Sequence, residues 1–140
     1  MSLHFTKESL MTYLEAIFPQ VHSDFAIDEL GTDHITARLL TAERHLRPGG
    51  TVSGPAMFAL ADVAAYMMVL ARLGDVPLAV TTNCSLDFIR KPAANTDILA
   101  KVRLLKLGRS LAVTDMLLYS EGSDDPVARA NMTYAIPPTR

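Results

Sequence analysis

The sequence predicts an α+β protein: a curved antiparallel sheet of about six strands wrapped around one long central helix. Three observations carry that prediction. From Pro55 to Ala71 the only charged residue is Asp62, and a helix that is apolar on all sides belongs inside a core. Two strand-like runs precede this segment and four follow it, separated by clusters of turn-forming residues. The 140 residues are enough for one domain with a substantial core, so 1–140 is read as a single domain.

The elements follow in order. An N-terminal helix is placed within residues 1–20. Thr6-Lys7-Glu8-Ser9 opens it, Leu10, Tyr13, Leu14 and Ile17 share one stripe, and Pro19 ends it. Asp24 to Glu29 and His34 to Ala42 read as strands around a turn at Gly31-Thr32-Asp33. In the second, Ile35, Ala37 and Leu39 alternate with Thr36, Arg38 and Leu40. Glu43 to Ser53 is a loop containing Arg47-Pro48-Gly49-Gly50. The central helix, 54–73, has Ser53 or Gly54 as a cap, Pro55 in its first turn and Gly74 as its stop. Four strands then run over Ala79–Phe88, Asp97–Leu107, Leu111–Tyr119 and Val127–Ile136. Short loops between successive runs make antiparallel neighbours the simplest arrangement. Such a sheet covers the helix on most sides, and a second copy of the sheet is the expected cover for the rest.

Composition removes several function classes. The chain is 49% apolar and 20% charged, the balance of a soluble globular protein. A net charge of −2 leaves no broad nucleic-acid footprint. The single cysteine, Cys84, excludes an internal disulfide and a cysteine-rich metal site, and it fits a cytoplasmic protein. As a strand residue it is expected to be packed rather than nucleophilic. His4, His22, His34 and His45 lack metal-ligand spacing, so no metal is expected. Met1 to Glu8 does not read as a signal peptide. The 54–74 stretch is short for a membrane span and has Asp62 near its centre, so no membrane is expected. Met57, Met67 and Met68 are read as core packing that would also suit an adaptable pocket.

The residue that stands out is Asp62. A carboxylate in an apolar helix is costly unless it is paired or used. Its surroundings, Ser53-Gly54-Pro55-Ala56-Met57-Phe58-Ala59-Leu60-Ala61-Asp62, are followed by Leu86-Asp87-Phe88-Ile89-Arg90-Lys91-Pro92, Lys106-Leu107-Gly108-Arg109-Ser110 and Val127-Ala128-Arg129-Ala130-Asn131-Met132-Thr133-Tyr134. In this order, from about Asp24 to Tyr134, the chain resembles the hotdog-fold acyl-CoA thioesterases of the phenylacetate-pathway type. In that family a His-Gly-Gly turn opens the helix, and an acidic residue lies eight positions after the first glycine. Here Ser53 stands in place of the histidine, Pro55 in place of the second glycine, and Arg47 where an amide side chain is common.

The resemblance implies an acyl-CoA thioesterase that releases a free acid and CoA, with no cofactor beyond the CoA thioester substrate. Asp62 would activate water or attack the thioester carbonyl directly. Gly54 would offer its backbone N–H, at the positive end of a helix dipole, to the developing oxyanion. Pro55 has no N–H to add. Ser53 is either a helix cap or a substrate contact in place of the imidazole. Tyr66, one turn beyond Asp62, orients the carboxylate, shapes the acyl pocket or simply packs. The family's site lies between two chains, so a homodimer with shared sites is implied, with dimer against tetramer left open. Thr81, Thr82 and Asn83 are candidates to touch the pantetheine or the partner's Asp62, or are ordinary strand residues. Arg90, Lys91, Lys106 and Arg109 are candidates for the rim that meets the CoA phosphates, against the commoner fate of solvated surface, and Arg47, Pro55, Gly108 and Ser110 are further candidate substrate contacts. The rival expectation is a hotdog protein that binds acyl-CoA without hydrolysing it.

Overall fold

The computed structural model describes residues 2–138, apart from the side chain of His22. Helix α1 spans Lys7–Ile17 and is capped by Thr6, whose hydroxyl accepts from the Ser9 N–H at 3.0 Å while the Ser9 hydroxyl accepts from the Thr6 N–H at 2.9 Å. It buries Leu10 and Leu14, the centre of the expected stripe. It lies within the 1–20 segment and starts after Thr6, and Pro19, just beyond its end, also opens a second short helix, α2 (Pro19–His22).

Strands β1 (Phe25–Leu30) and β2 (His34–Leu39) form a hairpin, and a 3-10 turn at Glu43–His45 leads towards the central helix α3 (Gly54–Leu73). Strands β3 (Val80–Phe88), β4 (Ile98–Leu107), β5 (Leu111–Ser120) and β6 (Pro126–Ala135) follow. They build one six-stranded antiparallel sheet in the order β1-β2-β4-β5-β6-β3. This is the hotdog fold expected from the sequence.

One part of the expected pairing is corrected. Consecutive strands pair at β1–β2, β4–β5 and β5–β6, but β3 does not pair with β4. The connection after β3 is strapped across the sheet's end instead of closing a hairpin. The N–H groups of Ile89 and Arg90 both donate to the Val127 carbonyl, and the Ala93 N–H donates to the Ser120 hydroxyl. Pro92 has no N–H to give to a ladder. The chain therefore inserts β4 beside β2 and leaves β3 at the far edge, paired with β6 alone.

The sheet's inner face supplies Ile35, Ala37, Leu39, Ile98, Ala100, Val102, Met116, Leu118 and Met132, and it closes on α3 residues Leu60, Ala64, Met67 and Met68. Each large side chain among these contributes about 1.5–3 kcal/mol by leaving water. A single side chain ties the sheet's outer rim. Arg38 of β2 donates to Asp28 of β1 at 2.9 and 3.1 Å, and to Asp97 and Glu121, which flank β4 and β5, at 2.8 Å each.

The sheet leaves part of α3 bare. Pro55, Phe58 and Ala59 are exposed and Asp62 is half-buried, a stripe at helical spacing along one side. Strand β3 lacks the alternating burial of β4, β5 and β6, and is exposed along most of its length.

Candidate active site

Helix α3 sets Asp62 at the boundary between the core and the bare stripe. The carboxylate is met by two hydroxyls from the sheet. Thr81 Oγ1 donates to Asp62 Oδ1 at 2.5 Å, and the Tyr134 hydroxyl lies 2.8 Å from the same oxygen and 3.0 Å from the Asp62 carbonyl. A β-bulge at Thr82 brings this about, because it leaves Thr81 directly opposite Tyr134 in the β3–β6 ladder. Both donors thus converge on Oδ1, and Oδ2 has no partner among the described residues. Burial pushes the Tyr134 phenol well above its ordinary range, with the Asp62 charge adding to it, so the phenol keeps the proton it donates.

Asp62 opens into a cavity of about 360 Å³ lined by Ile17, Phe18, Val63, Tyr66, Pro77, Ala79, Val80, Thr81 and Tyr134. Tyr66 stacks on Tyr134 with ring centroids 5.8 Å apart. Its hydroxyl donates to the Pro77 carbonyl at 2.7 Å, so it shapes the cavity and does not orient the carboxylate. Burial raises the Tyr66 phenol as well. Of the two residues that hold Asp62, Thr81 was a candidate for contact with the partner's Asp62 and here meets that of its own chain, whereas Tyr134 was not singled out from the sequence. A tyrosine at an inward position of β6, two residues after buried Met132, was the available signal, since a buried phenol needs a partner.

Gly54 stands at the other end of the bare stripe. Ser53 caps α3, its hydroxyl accepting from the Ala56 N–H at 3.2 Å. The Gly54 N–H has no partner among the described residues. Gly54 lines a second cavity of about 370 Å³, together with Arg47, Phe88, Arg90 and Lys91 among others. The Phe88 ring lies so close that a Cβ at Gly54 would come within 3.2 Å of it. Eight residues separate Gly54 from Asp62, a rise of about 12 Å along a helix. Within one protomer the two groups therefore stand about two helical turns apart.

The remaining candidates fall into two groups. Arg47, Arg90 and Lys91 gather with Pro55 around the start of α3, although Arg90 also donates to the Pro126 carbonyl at 2.6 Å. Lys106, Gly108, Arg109 and Ser110 lie in the β4–β5 hairpin, in the lining of neither cavity. That hairpin shares an end of the sheet with the start of β3, because Leu111 and Val80 both pair with Ala135. Thr82 and Asn83 are exposed on β3. Cys84 is exposed there as well, against the expectation that it packs.

A curved antiparallel sheet around one long helix is the hotdog architecture, here with a carboxylate opening into an apolar cleft. The chain belongs to the thioesterase superfamily, whose sequence model matches residues 49–127. A candidate thioesterase of known structure from Silicibacter sp. TM1040 is 62% identical, with 99% of this chain and 96% of that one aligned at a TM-score of 0.93. A hypothetical thioesterase from Streptococcus pneumoniae, solved with coenzyme A, shares the fold at 17% identity (91% and 96% of the two chains, TM-score 0.77). So does a mutant of the phenylacetic acid degradation protein PaaI from Thermus thermophilus, at 24% identity (89% and 97%, TM-score 0.69). No curated protein sequence matches significantly.

Proposed function

We propose that the protein is a cytoplasmic acyl-CoA thioesterase that works as a homodimer, with Asp62 and Gly54 of opposite copies completing each site. One observation carries the reading: Asp62 lines a cavity with its Oδ1 held by two hydroxyls and its Oδ2 without a partner among the described residues. Oδ2 is then the reacting oxygen. As a base it takes a proton from water as the water oxygen attacks the thioester carbon. As a nucleophile it attacks that carbon itself, and water later cleaves the resulting anhydride. In both routes the carbonyl oxygen becomes an oxyanion, the C–S bond breaks, and the CoA thiolate leaves and is protonated. In the second route, attack of ¹⁸O-water on the Asp62 carbon of the anhydride releases the acid and leaves the label in the Asp62 side chain after a single turnover, whereas the first route leaves none there.

The oxyanion donor comes from the second copy. Strand β3 offers an unpaired edge, and antiparallel pairing with another β3 brings the Phe88 end of one copy beside the Val80 end of the other. The second copy's helix start, with its free Gly54 N–H, then lies beside Asp62, and its Arg47, Arg90 and Lys91 join the Lys106–Ser110 hairpin around one cleft. Positive side chains gathered in this way suit the phosphates of CoA. The same pairing covers Phe58 and Ala59, which the sheet leaves bare.

The test is release of free CoA from a panel of acyl-CoAs by the purified protein. Asp62→Ala should lower kcat by about 10²–10⁴ with the fold intact. Binding of acyl-CoA with no turnover on any chain length would replace this reading with a non-catalytic acyl-CoA binder.

A further inference from the structure

The wall of the Asp62 cavity limits what the acyl group can be. Its far side is built by the junction of α1 and α2. Pro19 forbids helical backbone at the residue before it, so Phe18 leaves α1 with φ −143° and ψ 59°. This break turns the Phe18 ring onto Tyr66, edge to face, with centroids 6.3 Å apart. Three aromatic rings therefore stand in series from the carboxylate outward: Tyr134 on Asp62, Tyr66 stacked on Tyr134, and Phe18 against Tyr66. Phe18 remains 37% exposed although it is a large apolar residue, because it borders the cavity rather than the core. The described residues lining the cavity include no lysine, arginine or histidine, and Asp62 is the one charged group.

We propose that this cavity takes an uncharged, apolar acyl group and that Phe18 fixes how long that group can be. This rests on the thioesterase reading above and deepens it. An acyl tail ending in a carboxylate would lose its water among aromatic rings, meet no cation among the residues lining the cavity, and share the cavity with Asp62. A straight apolar tail would run along Tyr66 and stop at Phe18. Ile17, Phe18 and Pro19 belong to the N-terminal segment rather than to the sheet and helix that carry the carboxylate. Acyl selection is thus set by residues separate from those that do the chemistry.

The experiment measures kcat/KM for the wild type, Phe18→Ala and Phe18→Leu on straight-chain acyl-CoAs from butanoyl to hexadecanoyl, and on succinyl- and glutaryl-CoA. The wild type should turn over the ω-carboxylated substrates roughly a hundredfold less well than uncharged ones of equal length. Phe18→Ala should move the optimum to longer chains, gaining roughly fourfold for each further methylene it admits. Phe18→Leu, which keeps a bulky apolar wall, should stay near the wild-type optimum. Comparable turnover of succinyl- and butanoyl-CoA overturns the proposal, and so does an unchanged optimum in Phe18→Ala. If Phe18→Ala fails to fold, Phe18→Val takes its place in the same comparison. If the wild type hydrolyses none of the panel, the thioesterase reading has failed. The same selectivity is then read from dissociation constants by calorimetry, where equal affinity for succinyl- and butanoyl-CoA overturns this proposal separately.

Discussion

Tyr134 and Thr81 do for Asp62 what its own helix cannot: they fix one carboxylate oxygen and leave the other without a partner among the described residues. Removing the phenol's hydroxyl alone tests this. Tyr134→Phe keeps the ring and its stacking on Tyr66 but deletes a hydrogen bond to a carboxylate, a loss of about 1.5–3 kcal/mol. We expect kcat to fall about ten- to a hundredfold with KM little changed, measured by steady-state CoA release. A fall in affinity with kcat intact would place Tyr134 in binding rather than in holding the carboxylate. The phenols also predict a pH dependence. Tyr13, Tyr66 and Tyr134 are all raised above the ordinary value of 10.0, in each case first by burial, with Asp75 acting on Tyr13 and Asp62 on Tyr134. Above pH 10 the unfolded chain releases these protons before the folded one does. The stability they confer is complete below pH 10 and drains away as pH climbs towards the folded values. An alkaline titration should show these three phenols ionising together with loss of circular dichroism. Ionisation of all three with the helix signal intact would contradict their burial.

Helix α3 carries the site, and its start depends on Ser53. Because the Ser53 hydroxyl already accepts from Ala56, Ser53→Ala should cost about 1 kcal/mol in urea unfolding, and Ser53→Asp should restore it. Arg38 plays the matching part for the sheet. Arg38→Ala strands Asp28, Asp97 and Glu121 and should destabilise by about 2 kcal/mol, with a smaller loss in molar salt. Most elements were legible in the sequence because their signals are local. The apolar run with Gly74 behind it marked α3, and alternation marked β2. The place of β3 was not legible, since strand order depends on which partner a run meets across the sheet, and Val80 to Phe88 reads like any other strand. In the same way Asp62 announced itself as a charge among apolar neighbours. Tyr134, 72 residues away, gave no local sign that its hydroxyl would meet Asp62.

At the scale of the molecule, the separation of Gly54 from Asp62 along α3 is the reason a second copy enters the proposed site. The proposed antiparallel pairing of two chains would use the bare stripe of α3, the open edge of β3 and the two groups of basic residues at once. The rims around Arg90 and Arg109 could be named from sequence but not joined, because a single chain holds them at opposite ends of the sheet. Mixing two inactive variants tests the shared site most directly. Asp62→Ala lacks the proposed reacting oxygen, and Gly54→Pro lacks the proposed donor N–H while proline is tolerated at a first helical position. Each alone should release little CoA. After unfolding and refolding together, half the dimers are hybrids, and each hybrid has one site with both groups intact. Recovery of about a quarter of wild-type activity, from random association into two-site dimers, is the predicted result. No recovery from a mixture shown to contain hybrid dimers would contradict the account, because each site would then draw both groups from one chain.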